Sequence, residues 1–267
     1  RFYSESMLTG TSILPEPVMQ GWLNLHNHKG GRLGGMSRFL DHTDDMPTAG
    51  WGYGALINNR TSDFQELLYG HAANYQSRGS FHSTEQLAFT GSGRYRALGS
   101  LRDVIPGGPN TLASVQQTSD ERSHVASRYN GAETFISFCI VSNILVARMT
   151  RWQLVLEEGN KVWLGRGAPK RWFTSQAGGF SVTNAPSSYG RISYNLTVSS
   201  SDVATYSVKT SGTTASLPAA WSLRWACNGT APSGLTFGGC KAISEDLALG
   251  IVTVIPSQAA FTVSASC

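Results

Sequence analysis

The segment WQLVLEEGNKVWL, residues 152–164, decides the fold because the pattern of apolar residues changes within it. Two short alternating runs flank Gly159-Asn160, and a glycine-containing pair between such runs is typical of a β-hairpin. The segment before it, from about residue 132 to Trp152, is strongly apolar and predicts a buried helix. Helices therefore give way to strands here, and we place the domain boundary between residues 151 and 152.

After this hairpin the chain consists of short alternating runs separated by Gly, Ser, Pro and Asn. Runs at this spacing predict an antiparallel β-sandwich over residues 152–267. The tryptophans of this part alternate with strand residues, so we expect them to pack inside the sandwich. The predicted strands after the hairpin begin near Gly190, Ala204, Trp221, Ala248 and Ala260.

Residues 1–151 show helical patterns instead. Helices over residues 18–26 and 47–58 are followed by a third that begins near Ser62. Because the helices come first and the strands afterwards, the order indicates an α+β fold and not alternating βαβ units. The third helix places its apolar side chains on one face: Phe64, Leu67, Leu68, His71, Ala72 and Tyr75.

Composition excludes several function classes. Only 14% of the 267 residues are charged, against roughly 25% in an average soluble protein, and the net charge of +4 is scattered. The sequence lacks the basic stripe that would indicate nucleic-acid binding. The longest apolar run, residues 135–149, is too short to span a membrane. No zinc-ligand spacing and no phosphate-binding glycine motif occurs, so we expect no metal and no cofactor.

Three Asn-X-Thr sequons, at Asn59, Asn195 and Asn228, lie in or beside polar segments. Together with four cysteines and the low charge, they predict a secreted, extracellular glycoprotein. The chain begins at Arg1 without a signal peptide, from which we expect that it derives from a longer precursor.

Cysteine pairing is predicted only in part. Cys227 and Cys240 flank a Gly/Pro-rich loop, and we predict a disulfide between them. Cys139 and Cys267 pair with each other, or Cys139 is a buried thiol.

The loop QSRGSFHSTEQ, residues 76–86, collects Arg78, His82 and Glu85 within eight residues. Loops on rigid scaffolds carry binding and catalytic groups more often than packing groups. The alternative is a solvated connection without a ligand.

Three segments resemble the C-terminal half of the six-hairpin (α/α)6-toroid glycosidases and the β-sandwich that follows it. They are GRLGGMSRFLDHTDDMP at residues 31–47, the loop with Ser-Thr-Glu-Gln at 83–86, and the passage into the sandwich at 150–173. The resemblance implies an incomplete helical toroid followed by the sandwich. It also implies a companion N-terminal chain, or further copies of this one, and a polysaccharide or glycan as substrate.

Glycoside hydrolysis generally uses two carboxyl groups, and the candidates are Asp41, Asp44, Asp45 and Glu85. Glu85 is preferred because partial burial beside Phe81 and His82 could tune its pKa. Glu85 is the predicted general acid or base, unless it is a surface or capping residue. Asp44 is the candidate partner because Asp45 is suited to cap the following helix. His42, Arg78 and His82 are candidate sugar-binding groups, as is Trp51 as a stacking platform; the imidazoles and the indole have structural alternatives.

Two further functions remain open at this point. A non-catalytic extracellular structural or adhesive glycoprotein could use the same scaffold and pack against its own copies. A polysaccharide lyase is the third possibility, and it would leave an unsaturated product that absorbs ultraviolet light.

Overall fold

A computed structural model describes residues 14–28, 32–33, 36–38, 42–44, 46–74, 86–88, 140–211, 217–227 and 231–267. Over these residues the fold is α+β, with helices followed by a β-sandwich-like part. The chain divides into two compact units, Arg1–Thr150 and Arg151–Cys267. The described part contains four α-helices, so it does not show the toroid that the resemblance implies.

The helices are α1 (Glu16–His28), α2 (Met46–Ile57), α3 (Thr61–Asn74) and α4 (Ile140–Leu154). The predicted apolar face of α3 is confirmed for Phe64, Leu67, Leu68 and His71, which are fully or almost fully buried. Ala72 is half-buried, and Tyr75 lies outside the described residues. Gly52 lets α2 approach α4 closely, since a Cβ at this position would come within 2.7 Å of Met149 Cε. The buried apolar side chains of the helical unit are Met19, Leu23, Trp51, Ala55, Leu56, Phe64, Leu67, Leu68, Leu145 and Met149.

A small antiparallel sheet lies in the same unit. Its strands are β1 (Arg32–Leu33), β2 (Met36–Arg38), β3 (His42–Asp44) and β4 (Gln86–Ala88), paired in that order. Strand β2 contacts both α2 and α3, so the sheet is held against two helices of its own unit.

Ten strands of the described chain form two five-stranded sheets in the second unit. The first sheet has the order β12-β13-β10-β6-β5 and the second has the order β11-β14-β9-β8-β7. The strands are β5 (Val155–Glu158), β6 (Lys161–Leu164), β7 (Gly179–Ser187), β8 (Gly190–Val198), β9 (Val203–Thr210), β10 (Ala220–Arg224), β11 (Ser233–Gly238), β12 (Cys240–Asp246), β13 (Ile251–Pro256) and β14 (Ala260–Ser266).

The sandwich is not wholly antiparallel, which corrects the expectation from sequence. Strand β10 pairs with β6 in parallel, with Trp221 opposite Val162, while the other pairs are antiparallel. The predicted hairpin is confirmed as β5 and β6 joined by Gly159-Asn160, with Gly159 at φ +58°. Its first strand begins later than predicted, because α4 continues to Leu154.

Both sheets contribute side chains to one hydrophobic core. Trp221 of the first sheet meets Phe261 of the second, with ring centroids 5.5 Å apart. A separate row of aromatic contacts runs from Phe180 through Tyr194 and Tyr206 to Trp225, with ring centroids 5.9, 5.9 and 5.1 Å apart. The expectation that the tryptophans pack inside is confirmed for Trp221 and Trp225, which are fully buried.

The predicted disulfide between Cys227 and Cys240 is wrong. Cys227 is bonded to Cys267, 40 residues away in the sequence, and Cys240 is a free thiol. Cys227 follows β10 and Cys267 follows β14, so the bond joins the ends of strands from the two sheets. Cys139 lies outside the described residues. A disulfide is consistent with folding in an oxidising compartment.

We expect removal of the Cys227–Cys267 disulfide to lower the stability of the protein much more than removal of the free Cys240 thiol. In the chain-entropy model a bridge that closes about 40 residues contributes about 4 kcal/mol, so Cys227→Ala/Cys267→Ala should lower the free energy of unfolding by about that amount. Urea denaturation followed by tryptophan fluorescence measures the change.

Cys240→Ala is the matched control and should change stability by less than about 1 kcal/mol, because its thiol is only partly buried. A loss with Cys240→Ala as large as with the double variant would contradict the pairing.

Candidate functional site

The candidate site is organised by the pairing of β3 with β4. His42 lies opposite Ala88, Thr43 opposite Leu87 and Asp44 opposite Gln86. Residues directly opposite each other in an antiparallel pair have Cα atoms about 4.5–5.5 Å apart. The backbone of Asp44 is therefore beside the residue that ends the 76–86 loop, although more than forty residues separate the two in sequence.

The position of β3 is also defined by the helix that follows it. Helix α2 begins at Met46, two residues after Asp44, with Pro47 in its first turn. Proline is favoured there because the first backbone N–H groups of a helix have no partner within it. These N–H groups carry a partial positive charge, which favours an anionic group near the start of α2.

The structure describes only some of the predicted site residues. Arg78, His82 and Glu85 lie outside the described residues, as does Asp45. His42 and Asp44 are described by their backbone in β3. Of the sequons, Asn59 lies exposed in the turn between α2 and α3, Asn195 lies exposed in β8, and Asn228 lies outside the described part.

Trp51 does not fit its predicted role as a sugar platform. Its side chain is 2% exposed and belongs to the core of the helical unit. A stacking platform must present the face of its ring to a ligand, which a fully buried indole cannot do. We therefore remove Trp51 from the candidate binding residues.

Comparison with known proteins adds little to these observations. No protein-family model matches the sequence, and no curated protein matches it. Among solved structures, the chain is similar to Ara127N-Se, a GH127 β-L-arabinofuranosidase from Geobacillus stearothermophilus T6, with a TM-score of 0.43 and 9% identity. The alignment covers 99% of this chain and 40% of that enzyme, so the chain spans less than half its length. A TM-score this low does not establish a shared fold.

His71 is the most perturbed titratable group described in the helical unit. Its ring is fully buried in α3, and Nε2 lies 3.2 Å from the Ser142 carbonyl oxygen in α4. Since a carbonyl only accepts, Nε2 carries the proton of the neutral ring. Burial lowers the pKa of His71 to about 4, against a smaller opposing effect of the bond to Ser142. The ring is closed to substrate, and its role is to join α3 to α4.

In the sandwich unit, Trp163 is surrounded by charged groups. The Arg166 guanidinium lies 3.6 Å from the centre of the Trp163 ring, and the Lys161 ammonium lies 5.2 Å from it. Trp163 Nε1 and Arg166 Nη1 both donate to Glu158 Oε2, at 2.9 and 3.2 Å. The ring is buried, so this cluster stabilises the β5–β6 hairpin and is not a sugar platform.

The described residues contain no group of three or more His, Cys, Asp or Glu that could hold a metal ion. Among the helices that the structure describes, none is long and apolar enough to cross a membrane.

His71 predicts acid sensitivity of the helical unit. The pKa is about 6.5 in the unfolded chain and about 4 in the folded one, so stability is fully present above pH 6.5 and is lost as the pH falls toward 4. Lowering the pH from 7 to 5 should therefore cost roughly 2 kcal/mol through this residue. Hydrogen exchange of the α3 and α4 amides at both pH values measures it.

The variant His71→Gln keeps a donor for Ser142 and cannot titrate, so this part of the pH dependence should disappear. The interval from pH 7 to 8 serves as an internal control, because neither protein should change there through residue 71. Equal losses between pH 7 and 5 in both proteins would refute the assignment.

Proposed function

We propose that this chain is the C-terminal part, or a C-terminal subunit, of a secreted glycoside hydrolase that acts on a polysaccharide or glycan. Asp44 and Glu85 are its two catalytic carboxyl groups. The observation that supports this proposal best is the pairing of Asp44 with Gln86, the residue that follows Glu85 in the sequence.

The pairing matters because hydrolysis requires two carboxyl groups at a limited separation, roughly 5 to 5.5 Å for retention and 6.5 to 9.5 Å for inversion. Paired Cα atoms are about 4.5–5.5 Å apart, and consecutive Cα atoms about 3.8 Å apart. The covalent chain therefore keeps Glu85 close to the pairing of Asp44 with Gln86. Because successive side chains of an extended strand face opposite sides, the proposal requires the chain to turn before Gln86 so that both carboxyl groups share one side. Asp44 and Glu85 were selected from the sequence alone, so the pairing of Asp44 with the residue that follows Glu85 in the sequence supports the pair.

In the proposed reaction, Glu85 donates a proton to the leaving oxygen and later accepts one from water, while Asp44 stabilises or attacks the sugar at its anomeric carbon. His42, Arg78 and His82 hydrogen-bond the sugar hydroxyls. The remaining helices of the site come from a companion chain, from preceding residues of a longer chain, or from another copy.

One observation favours the non-catalytic alternative. Strands β11 and β12 are sheet edges, and they carry exposed apolar side chains at Phe237 and Ile243. Unpaired edges with apolar residues can pair with neighbouring chains. An extracellular structural glycoprotein that assembles through these edges is therefore the second candidate.

The two candidates are separated by replacing the carboxyl groups in the protein purified in its natural assembly. General acid–base groups typically contribute about 10²- to 10⁴-fold to the rate, so Glu85→Gln and Asp44→Asn should each lower glycan turnover by at least about 100-fold. Release of reducing ends from a panel of plant, fungal and bacterial polysaccharides measures turnover.

Glu66→Gln is the matched control, because Glu66 is an exposed carboxylate on α3 of the same unit. Unchanged turnover in both site variants would remove the two carboxyl groups from the mechanism. No turnover by the parent protein would favour the structural alternative, and a product that absorbs ultraviolet light would indicate a lyase.

A further inference from the structure

The exposed face of the β11-β14-β9-β8-β7 sheet carries a straight row of polar positions. Asn195 of β8 is paired with Ser207 of β9, Ser207 with Thr262 of β14, and Thr262 with Gly238 of β11. All four residues are exposed. Adjacent strands lie about 4.8 Å apart, so the row extends about 14 Å from Asn195 to the edge of the sheet.

The side chains of this row are available for a ligand. Within the described residues, Asn195, Ser207 and Thr262 make no side-chain hydrogen bond to protein groups. In the neighbouring row the hydroxyl groups satisfy each other, because Thr205 Oγ1 lies 2.8 Å from Ser264 Oγ. The row that starts at Asn195 therefore offers donors and acceptors that the protein itself does not use.

A groove of about 550 Å³ lies at the far part of the same row. Glycine keeps it open, since a Cβ at Gly238 would lie 2.5 Å from Thr262 Oγ1. A Cβ at Gly239 would come within 2.3 Å of Gln258 Nε2, and φ +71° at this residue disfavours any side chain. The polar and glycine residues that line the groove are Ser207, Lys209, Gly238, Gly239, Gln258 and Thr262.

Asn195, one member of this row, indicates what occupies the groove. Asn195 begins the sequon Asn195-Leu196-Thr197, and it is exposed at mid-strand while Leu196 is buried. We propose that Asn195 carries an N-linked glycan whose first sugars lie across Ser207 and in this groove. Hydroxyl, amide and ammonium groups beside an open backbone suit the hydroxyl and acetamido groups of such sugars. The inference does not depend on the proposed hydrolase activity.

The modification requires a polyprenyl-pyrophosphate-linked oligosaccharide as the donor. The Asn195 side-chain nitrogen forms a bond to the anomeric carbon of the first sugar, and the bond from that carbon to the pyrophosphate oxygen breaks. The nitrogen loses one proton, and the polyprenyl pyrophosphate leaves with the electron pair. No oxidant or reductant is needed.

The first test is occupancy of the sequon. The protein is secreted from a eukaryotic host, and its intact mass and glycopeptides are compared with those of Asn195→Gln. We expect the variant to lose the mass of one glycan, while Asn59→Gln, a matched change in an exposed turn, leaves the Asn195 glycopeptide unchanged. An unmodified Asn195 peptide would overturn the proposal.

The second test is docking of the glycan in the groove. In Ser207→Tyr the new ring fills the groove, so the glycan cannot dock there. If the glycan of the native protein is docked about nine-tenths of the time, a peptide:N-glycosidase should release it about tenfold more slowly from the native protein than from Ser207→Tyr. Ser244→Tyr, on an exposed strand of the other sheet, is the control and should not accelerate release. Equal rates for the parent protein, Ser207→Tyr and Ser244→Tyr would show an undocked glycan and overturn this part.

Discussion

The sandwich depends on the way that Tyr206 joins its two sheets. The ring is fully buried, and its hydroxyl donates a 2.7 Å hydrogen bond to the Arg224 carbonyl oxygen at the end of β10. Burial raises the pKa of Tyr206 well above its usual value, with a smaller opposing effect of Arg224, so the phenol remains a donor. The ring also contacts Tyr194 and Trp225, and Gly165 leaves room for it, because a Cβ there would lie 2.6 Å from the hydroxyl oxygen.

This arrangement in the core determines what the outer face displays. Side chains alternate along a strand, so burying Tyr194 and Tyr206 turns Asn195 and Ser207 outward. A slip of one residue in the β8–β9 register would bury the polar row and expose the aromatic rings. The outer row is therefore as well determined as the core. The last turn of α4 is anchored to the same core, since the Leu154 carbonyl accepts bonds from Gly165 N and Tyr194 Oη, at 2.9 Å each.

Sequence patterns predicted the central strands and one edge, β5 of the hairpin, and missed the other three edges for a physical reason. Strand β8 begins at Gly190 as predicted, because two neighbouring strands and a core on one face impose clean alternation. Strands β7, β11 and β12 were not predicted; each is an edge with a single neighbour, and most of their residues are exposed. The disulfide was mispredicted because loop composition says nothing about which chain ends meet. Cys227 meets Cys267 only after β10 and β14 are placed in separate sheets.

The candidate site was predictable in residue type and not in geometry. Carboxyl, imidazole and guanidinium groups are visible in the sequence, but β3 and β4 are three residues long and too short to show a period. Their pairing brings residues 42–44 to residues 86–88, and such a long-range contact leaves no local signal. Trp51 illustrates the opposite error, because an aromatic residue between polar candidates has the same local pattern whether it stacks on a sugar or packs in a core.

The chain has few charged residues, and this bears on how the sheet edge at β11, beside the polar row, is kept solvated. Natural sheets protect their edges with charges, prolines or bulges. Strand β11 has no charged residue, and its only such protection is the irregular pairing with β14. Phe237 is exposed on this strand, next to Gly238 at the end of the polar row. A glycan that extends from Asn195 across Ser207 and Thr262 would end beside this edge and cover the backbone there. With 14% charged residues, the protein has few ionic groups to keep such an edge solvated, and the proposed glycan would supply the hydration that charges provide in other sheets.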